Sequence, residues 1–171
     1  MEDLSKVYIL IPLYNEATVI EDLVKQLSLE FDNIVIINDG STDNSQEILE
    51  RLDIHLINHP INMGQGSAIS TGFNYIYKTD AKALITFDAD GQHSVEDAKI
   101  FGYEILKSDS DIIFGSRFLG HSKNIPFFKR TVLTFASKIT NLFSKMNLTD
   151  THNGMKAIKK SALADINIEI D

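Results

Sequence analysis

Two carboxylates, Asp88 and Asp90, stand one residue apart directly after the apolar run Ala83–Phe87, and Gly91 follows them. Acids so close repel each other unless a cation neutralises them. Hard divalent ions take oxygen ligands, and magnesium commonly combines one or two carboxylates with substrate phosphates. The pair therefore predicts a Mg2+ or Mn2+ site gripping a diphosphate, with Gln92 and His93 near enough to add a ligand. Three further polar clusters follow apolar runs: Pro12-Leu13-Tyr14-Asn15-Glu16, Asn38-Asp39-Gly40-Ser41 and Gly115-Ser116-Arg117. Arg117 carries a permanent charge on a planar fork that suits phosphate oxygens. Asp150, in Thr149-Asp150-Thr151-His152-Asn153-Gly154, reads either as a general base or as a turn residue ending a helix. The stretch Asn62-Met63-Gly64-Gln65-Gly66-Ser67-Ala68 has the glycines to lie near a phosphate at a helix start. Ile69 stands where a dinucleotide fingerprint would need its third glycine, so these glycines read first as a turn. Among the histidines, His55, His59 and His121 carry no signal, and His152 is notable only for neighbouring Asp150.

The elements that must position these residues alternate along the chain. Val7–Ile11 and Ile34–Ile37 are continuous apolar runs, as expected of strands buried on both faces. Ile54–Asn58, Ala83–Phe87 and Asp111–Phe114 read as further strands. Thr18-x-x-Glu21 reads as a capping box opening a helix that carries Val19, Ile20, Leu23, Val24 and Leu27. Helices are also expected over Asp43–Leu52, Ser67–Tyr77 and Val95–Leu106. This alternation predicts an α/β domain with a single open, mostly parallel sheet and helices on both faces. Ligands of such sheets bind beyond the carboxyl ends of the strands. All four polar clusters fall at such ends.

From Ile125 to Leu148 the rhythm breaks. Phe128, Val132, Phe135, Ile139, Leu142 and Met146 recur at helical spacing, with Lys129, Arg130, Lys138 and Lys145 beside them. Such a stripe is either core or a basic amphipathic helix lying in a membrane interface.

Composition narrows the classes. At 171 residues with 43% hydrophobic and 23% charged residues, one domain can build a core without staples. The absence of cysteine excludes disulfides, zinc–thiolate sites and cysteine nucleophiles. A net charge of −8 argues against nucleic acid as a partner. Yet Ile112–Thr149 contains no acid, only Arg117, Lys123, Lys129, Arg130, Lys138 and Lys145 among its charged residues. Such a surface is either solvated or meets phosphates on a substrate or lipid head group. With no apolar run long enough to span a membrane, a cytoplasmic location is expected, with peripheral contact at the inner face of the membrane.

Together these residues resemble the family 2 glycosyltransferases, in the branch that includes dolichyl-phosphate mannose synthase, from Val7 to about Leu163. The resemblance implies a GT-A-like fold and an inverting, metal-dependent transfer from a UDP- or GDP-sugar to a polyprenyl phosphate or cell-envelope glycan. It assigns Pro12, Tyr14, Asn15, Glu16, Asp39 and Asp88 to the nucleotide, with Asp39 at the base, and the turn read at Gly64 falls near that nucleotide. It assigns Asp88, Asp90 and Gln92 to the metal. Arg117, Lys129, Arg130, Asn153 and Lys156 fall to phosphates or the acceptor, and Asp90, Asp150 and Arg117 to catalysis. Asn38 replaces the family's first acid, and Asn153, Met155 and Lys156 depart from its acceptor loop. Lysine at 156 keeps the charge but loses the fork. Phosphatases of the haloacid dehalogenase type also carry Asp-x-Asp-Gly, but after the first strand and with Thr or Val following the glycine. The chain stops soon after Gly154, so a catalytic domain lacking the usual C-terminal part is expected. A nucleotide-sugar-binding module without turnover is the alternative.

Overall fold

In the computed structural model, which describes residues 3–89, 94–115 and 155–166, the run Val7–Leu13 is strand β1. All of it is buried except Pro12, which is half-buried. The reason is its central place: β2 (Asn33–Asn38) and β4 (Ala83–Thr86) flank it, both parallel. Its side chains alternate between two cores. Val7, Ile9, Ile11 and Leu13 pack with the apolar faces of α1 (Ile20–Leu27) and α4 (Val95–Lys107). Tyr8 and Leu10 pack with α3 (Gln65–Tyr77) on the other face. A strand covered on both sides has no polar alternation to show, which explains the unbroken apolar reading.

β3 (His55–Asn58) extends the sheet parallel to β2, and the strand ends align: Leu13 lies opposite Asn38, and Asn38 opposite Asn58. The sheet has six strands in the order β3-β2-β1-β4-β6-β5, with β5 at Ile112–Phe114 and β6 at Lys156–Lys159. β6 runs antiparallel to β4 with Lys156 opposite Thr86, so the sheet is mixed. No strand is expected at 156–159 from sequence. Its two apolar residues, Ala157 and Ile158, sit between lysines and make too short a signal.

Local chemistry sets the helix ends, and the first three helices depart from the sequence reading, α3 starting at Gln65 rather than Ser67. The Thr18–Glu21 capping box does not form. Val19 holds the cap position without a side-chain bond, and the Glu16 carbonyl accepts the N–H groups of Val19 (3.2 Å) and Ile20 (3.1 Å). Glu21 pairs instead with Lys25, one turn on. Helix α2 is shorter than expected, at Ser45–Leu49: Asp43 binds the Ser45 N–H (2.9 Å) from outside the helix, and at the other end the Arg51 and Leu52 N–H groups bond the Ile48 (3.2 Å) and Leu49 (3.1 Å) carbonyls three residues back. α4 is capped as a good helix should be, with Ser94 Oγ accepting the Asp97 N–H (3.0 Å). Gly72 lets α3 settle directly on β1, since a β-carbon there would overlap the Leu10 side chain. No helix among the described residues is long and apolar enough to cross a membrane.

The β2–α2 loop is pressed against the segment that follows β3. Gly40 has φ +66°, and a β-carbon on it would lie 2.5 Å from the Asn62 backbone nitrogen. Gly40→Ala combines left-handed strain with a clash against backbone that has no rotamer to yield. It should cost about 2–3 kcal/mol, read as a lowered denaturation midpoint with unchanged m-value.

Candidate functional site

The aligned ends of β1, β2 and β3 bring one acid to the centre of the carboxyl edge. The Asp39 N–H bonds the Leu13 carbonyl (2.8 Å), which fixes its backbone to β1. Its side chain is then wrapped by the chain leaving β3. Oδ1 accepts the Met63 N–H (2.9 Å) and lies 2.7 Å from His59 Nδ1, while Oδ2 accepts the Gly64 N–H (2.8 Å). The other ring nitrogen of His59 meets Thr71 Oγ1 of α3 at 3.0 Å. Both side chains of the Asp39–His59 pair are buried, 4% and 9% exposed respectively. Asn38, the departure from the family's acid, uses both ends of its amide. Nδ2 donates to Asn58 Oδ1 (2.8 Å) and Oδ1 accepts the Ser41 N–H (3.2 Å). An acid there would lack the donor that meets Asn58.

Above Asp39 lies a cavity of about 290 Å³. Pro12 and Leu13 form one wall, with the exposed Tyr14 ring beside them. Asn62 and Gly64 come from the wrapping segment, and Gln65 and Ala68 from the first turn of α3. Four of the expected nucleotide residues, Pro12, Tyr14, Asp39 and Gly64, are therefore gathered on one cavity. Asn15 and Glu16 are not among its lining residues and stitch two loops together. Asn15 sits at φ 56°, with its N–H on Ser41 Oγ (3.0 Å) and its Oδ1 accepting the Thr42 N–H (2.8 Å). The Glu16 N–H donates to Ser45 Oγ (3.1 Å), and the Ala17 N–H to Asp43 Oδ2 (3.1 Å).

Asp88 is half-buried just past β4. Its Oδ1 accepts from Gln65 Nε2 at 3.3 Å, which ties the acid to a residue lining the cavity. Lys156 opens β6 opposite Thr86, and its N–H donates to Thr86 Oγ1 (3.1 Å). It thus stands at the same sheet edge as Asp88. Met155, by contrast, is 2% exposed and belongs to the core. Of the expected metal ligands only Asp88 is described. Asp90, Gln92, Arg117, Lys129, Arg130, Asp150 and Asn153, and the Phe128–Met146 stripe, lie outside the described residues. His59 and Gln65 are the residues that spacing did not single out. A lone histidine has no period to betray it, and the one cue was its place just after β3, beside the end of β2.

The Glycosyl transferase family 2 profile matches residues 8–166. The chain belongs to that family. It is 33% identical over 177 residues to a Methanococcus voltae protein named UDP-N-acetylglucosamine–dolichyl-phosphate N-acetylglucosaminyltransferase, covering 92% of this chain and 70% of the relative. It is 27% identical over 176 residues to the dolichol-phosphate mannosyltransferase of Pyrococcus furiosus, covering 95% and 49%. Among solved structures, glucosyl-3-phosphoglycerate synthase of Mycobacterium tuberculosis, bound to Mn2+, UDP and glucosyl-3-phosphoglycerate, superposes with a TM-score of 0.69. Identity there is 14%, and the match covers 92% of this chain and 57% of the synthase. This family 2 chain thus has the GT-A arrangement and spans little more than half the length of that solved structure.

The loop seam responds to acid. Burial opposes the charged form of Asp43, but hydrogen bonds from Ser45 and the Ala17 N–H outweigh it and hold the carboxyl below its usual value of 3.8. A group depressed on folding stabilises the fold above its unfolded pKa and loses that contribution as pH falls through the folded value. Asp43→Asn should therefore narrow the drop in Tm between about pH 6 and about pH 3, measured by thermal melts across that range.

Proposed function

We propose that this family 2 domain transfers a sugar, with inversion at the anomeric carbon, from a nucleoside diphosphate sugar to a polyprenyl phosphate. One observation carries the reading: a cavity at the carboxyl edge has the buried Asp39 carboxylate at its base, and Gln65 links its lining to Asp88. That is the layout a nucleotide needs, with a base to recognise at one end and a diphosphate to neutralise at the other. The exposed Tyr14 ring offers a stacking surface for the base. Asp39 offers an acceptor for its N–H.

Asp88, with Asp90 and Gln92 from the same segment, would hold Mg2+ or Mn2+. The donors, two carboxylates and an amide oxygen with no thiolate, suit a hard cation. Such an ion supplies Lewis-acid stabilisation of the departing diphosphate. The chain's own cations would meet the acceptor. A lipid phosphate is already ionised and needs positive charge more than a base, so Arg117, Lys129, Arg130 and Lys156 carry the acceptor side in this reading. Asp150 is required as a base only for a hydroxyl acceptor. The acid-free stretch Ile112–Thr149 supports the phosphate acceptor and peripheral contact with a membrane surface. The dolichyl-phosphate acceptors named for the Methanococcus and Pyrococcus relatives support it too.

Incubation with radiolabelled UDP- and GDP-sugars, Mn2+ and a polyprenyl phosphate should move label into the organic phase. Label that stays aqueous with every donor would overturn the transfer reading. Asp90→Ala should abolish metal-dependent nucleotide binding, at least about a hundredfold in Kd, while circular dichroism and Tm stay unchanged.

A further inference from the structure

We propose that His59 sets which nucleobase the cavity accepts. By filling one side of Asp39 it leaves a single acceptor position for the base, which favours the lone imide N–H of uracil over the paired N–H donors of guanine. The inference rests on the nucleotide reading above and deepens it to a class of donor, a uridine diphosphate sugar.

The argument is a count of lone pairs. An ionised carboxylate offers about four acceptor positions, two on each oxygen. On Asp39 both positions of Oδ1 are filled, one by the Met63 N–H (2.9 Å) and one by His59 Nδ1 (2.7 Å). Oδ2 accepts the Gly64 N–H (2.8 Å) and retains one position. Guanine presents two N–H donors side by side along its pairing edge, a fork that needs both oxygens of a carboxylate, as an arginine fork does. Oδ1 has no room for the second prong. Uracil presents one N–H between two carbonyls and asks for one acceptor only. Asn62 also lines the cavity, and its oxygen already accepts the Gly64 N–H (3.1 Å). Its N–H2 group is then the kind of donor a uracil carbonyl needs.

His59 is fitted to hold that position and not to move protons. A carboxylate whose two oxygens each face a backbone N–H can only accept, so Nδ1 carries the hydrogen. Nε2 meets the Thr71 hydroxyl (3.0 Å), which donates to a neutral ring and accepts from a charged one. The bond to Asp39 therefore survives in either form of the ring. Thr71 belongs to α3, so the imidazole braces the acid against a rigid element instead of a loop. His59 does not line the cavity; it acts through Asp39, as a positioning residue.

The experiment is titration calorimetry of the whole chain with UDP and with GDP in the presence of Mn2+. The wild-type protein should bind UDP at least about tenfold more tightly than GDP. His59→Ala opens Oδ1 and lets the carboxylate turn. UDP affinity should fall about tenfold while GDP affinity holds or rises, so the ratio approaches one. His59→Asn, whose amide N–H stands where Nδ1–H stood but which gives up the bond to Thr71, should restore the ratio to about the level of Thr71→Val. Thr71→Val removes only the far brace and should shift the ratio the same way by less, which keeps the test decisive should His59→Ala not fold. Equal losses for both nucleotides in His59→Ala and Thr71→Val would mean a merely structural role and overturn the inference. A wild-type preference for GDP would overturn it while leaving the transferase reading standing. A wild-type protein that binds neither nucleotide would overturn both.

Discussion

The carboxyl edge of this domain is organised around one buried carboxylate. Taking an ionised acid out of water is costly unless hydrogen bonds replace its hydration. Asp39 meets that demand with two backbone N–H groups and an imidazole, all from residues 59–64. The same bonds determine where the chain goes after β3 and where α3 begins. Without the acid, the segment would leave the Met63 and Gly64 N–H groups without these partners and the cavity without a rim. The charge that would read the base is thus also the charge that builds its pocket.

Around that centre the polar residues divide into two kinds. Asn15, Ser41, Asp43 and Ser45 bind one another's loops and turn their hydrogen-bonding capacity inward. Tyr14, Asn62 and Gln65 stand at the cavity. Adjacent residues of a single motif, Tyr14 and Asn15, fall on opposite sides of the division. The left-handed backbone of Asn15 is what separates them, reversing the chain so that the Glu16 carbonyl can start α1.

Much of this was legible in the sequence because the central strands have no choice of face. Val7–Leu13 and Ile34–Ile37 must be apolar throughout, and the polar residues that interrupt them mark the edge where ligands bind. Pro12, Tyr14, Asp39 and Asp88 were placed at that edge by this argument, and Gly64 was reached through the glycines of a turn at a helix start. What escaped lacks periodicity. The Thr18–Glu21 pattern fits a capping box, yet a turn one step earlier already supplies the cap. β6 has two apolar residues and pairs with a strand far away in sequence. His59 acts through a partner twenty positions earlier, a relation that no local pattern encodes.

The place of β6 also has a consequence for how the chain assembles. β1 to β4 are contiguous in the first half of the sequence, whereas the β4–β6 pairing joins Thr86 to Lys156 across 70 residues. Contacts so distant are slow to close, because the entropy of the intervening loop is lost before the pairing rewards it. At about 5–20 residues per second on a ribosome, roughly 4–14 s separate the two strands' appearance. During that interval the β4 edge, all of it apolar but for Thr86, stands open to any other strand it meets. Nascent chains of this topology therefore have a window in which the native fold does not yet shield the centre of the sheet.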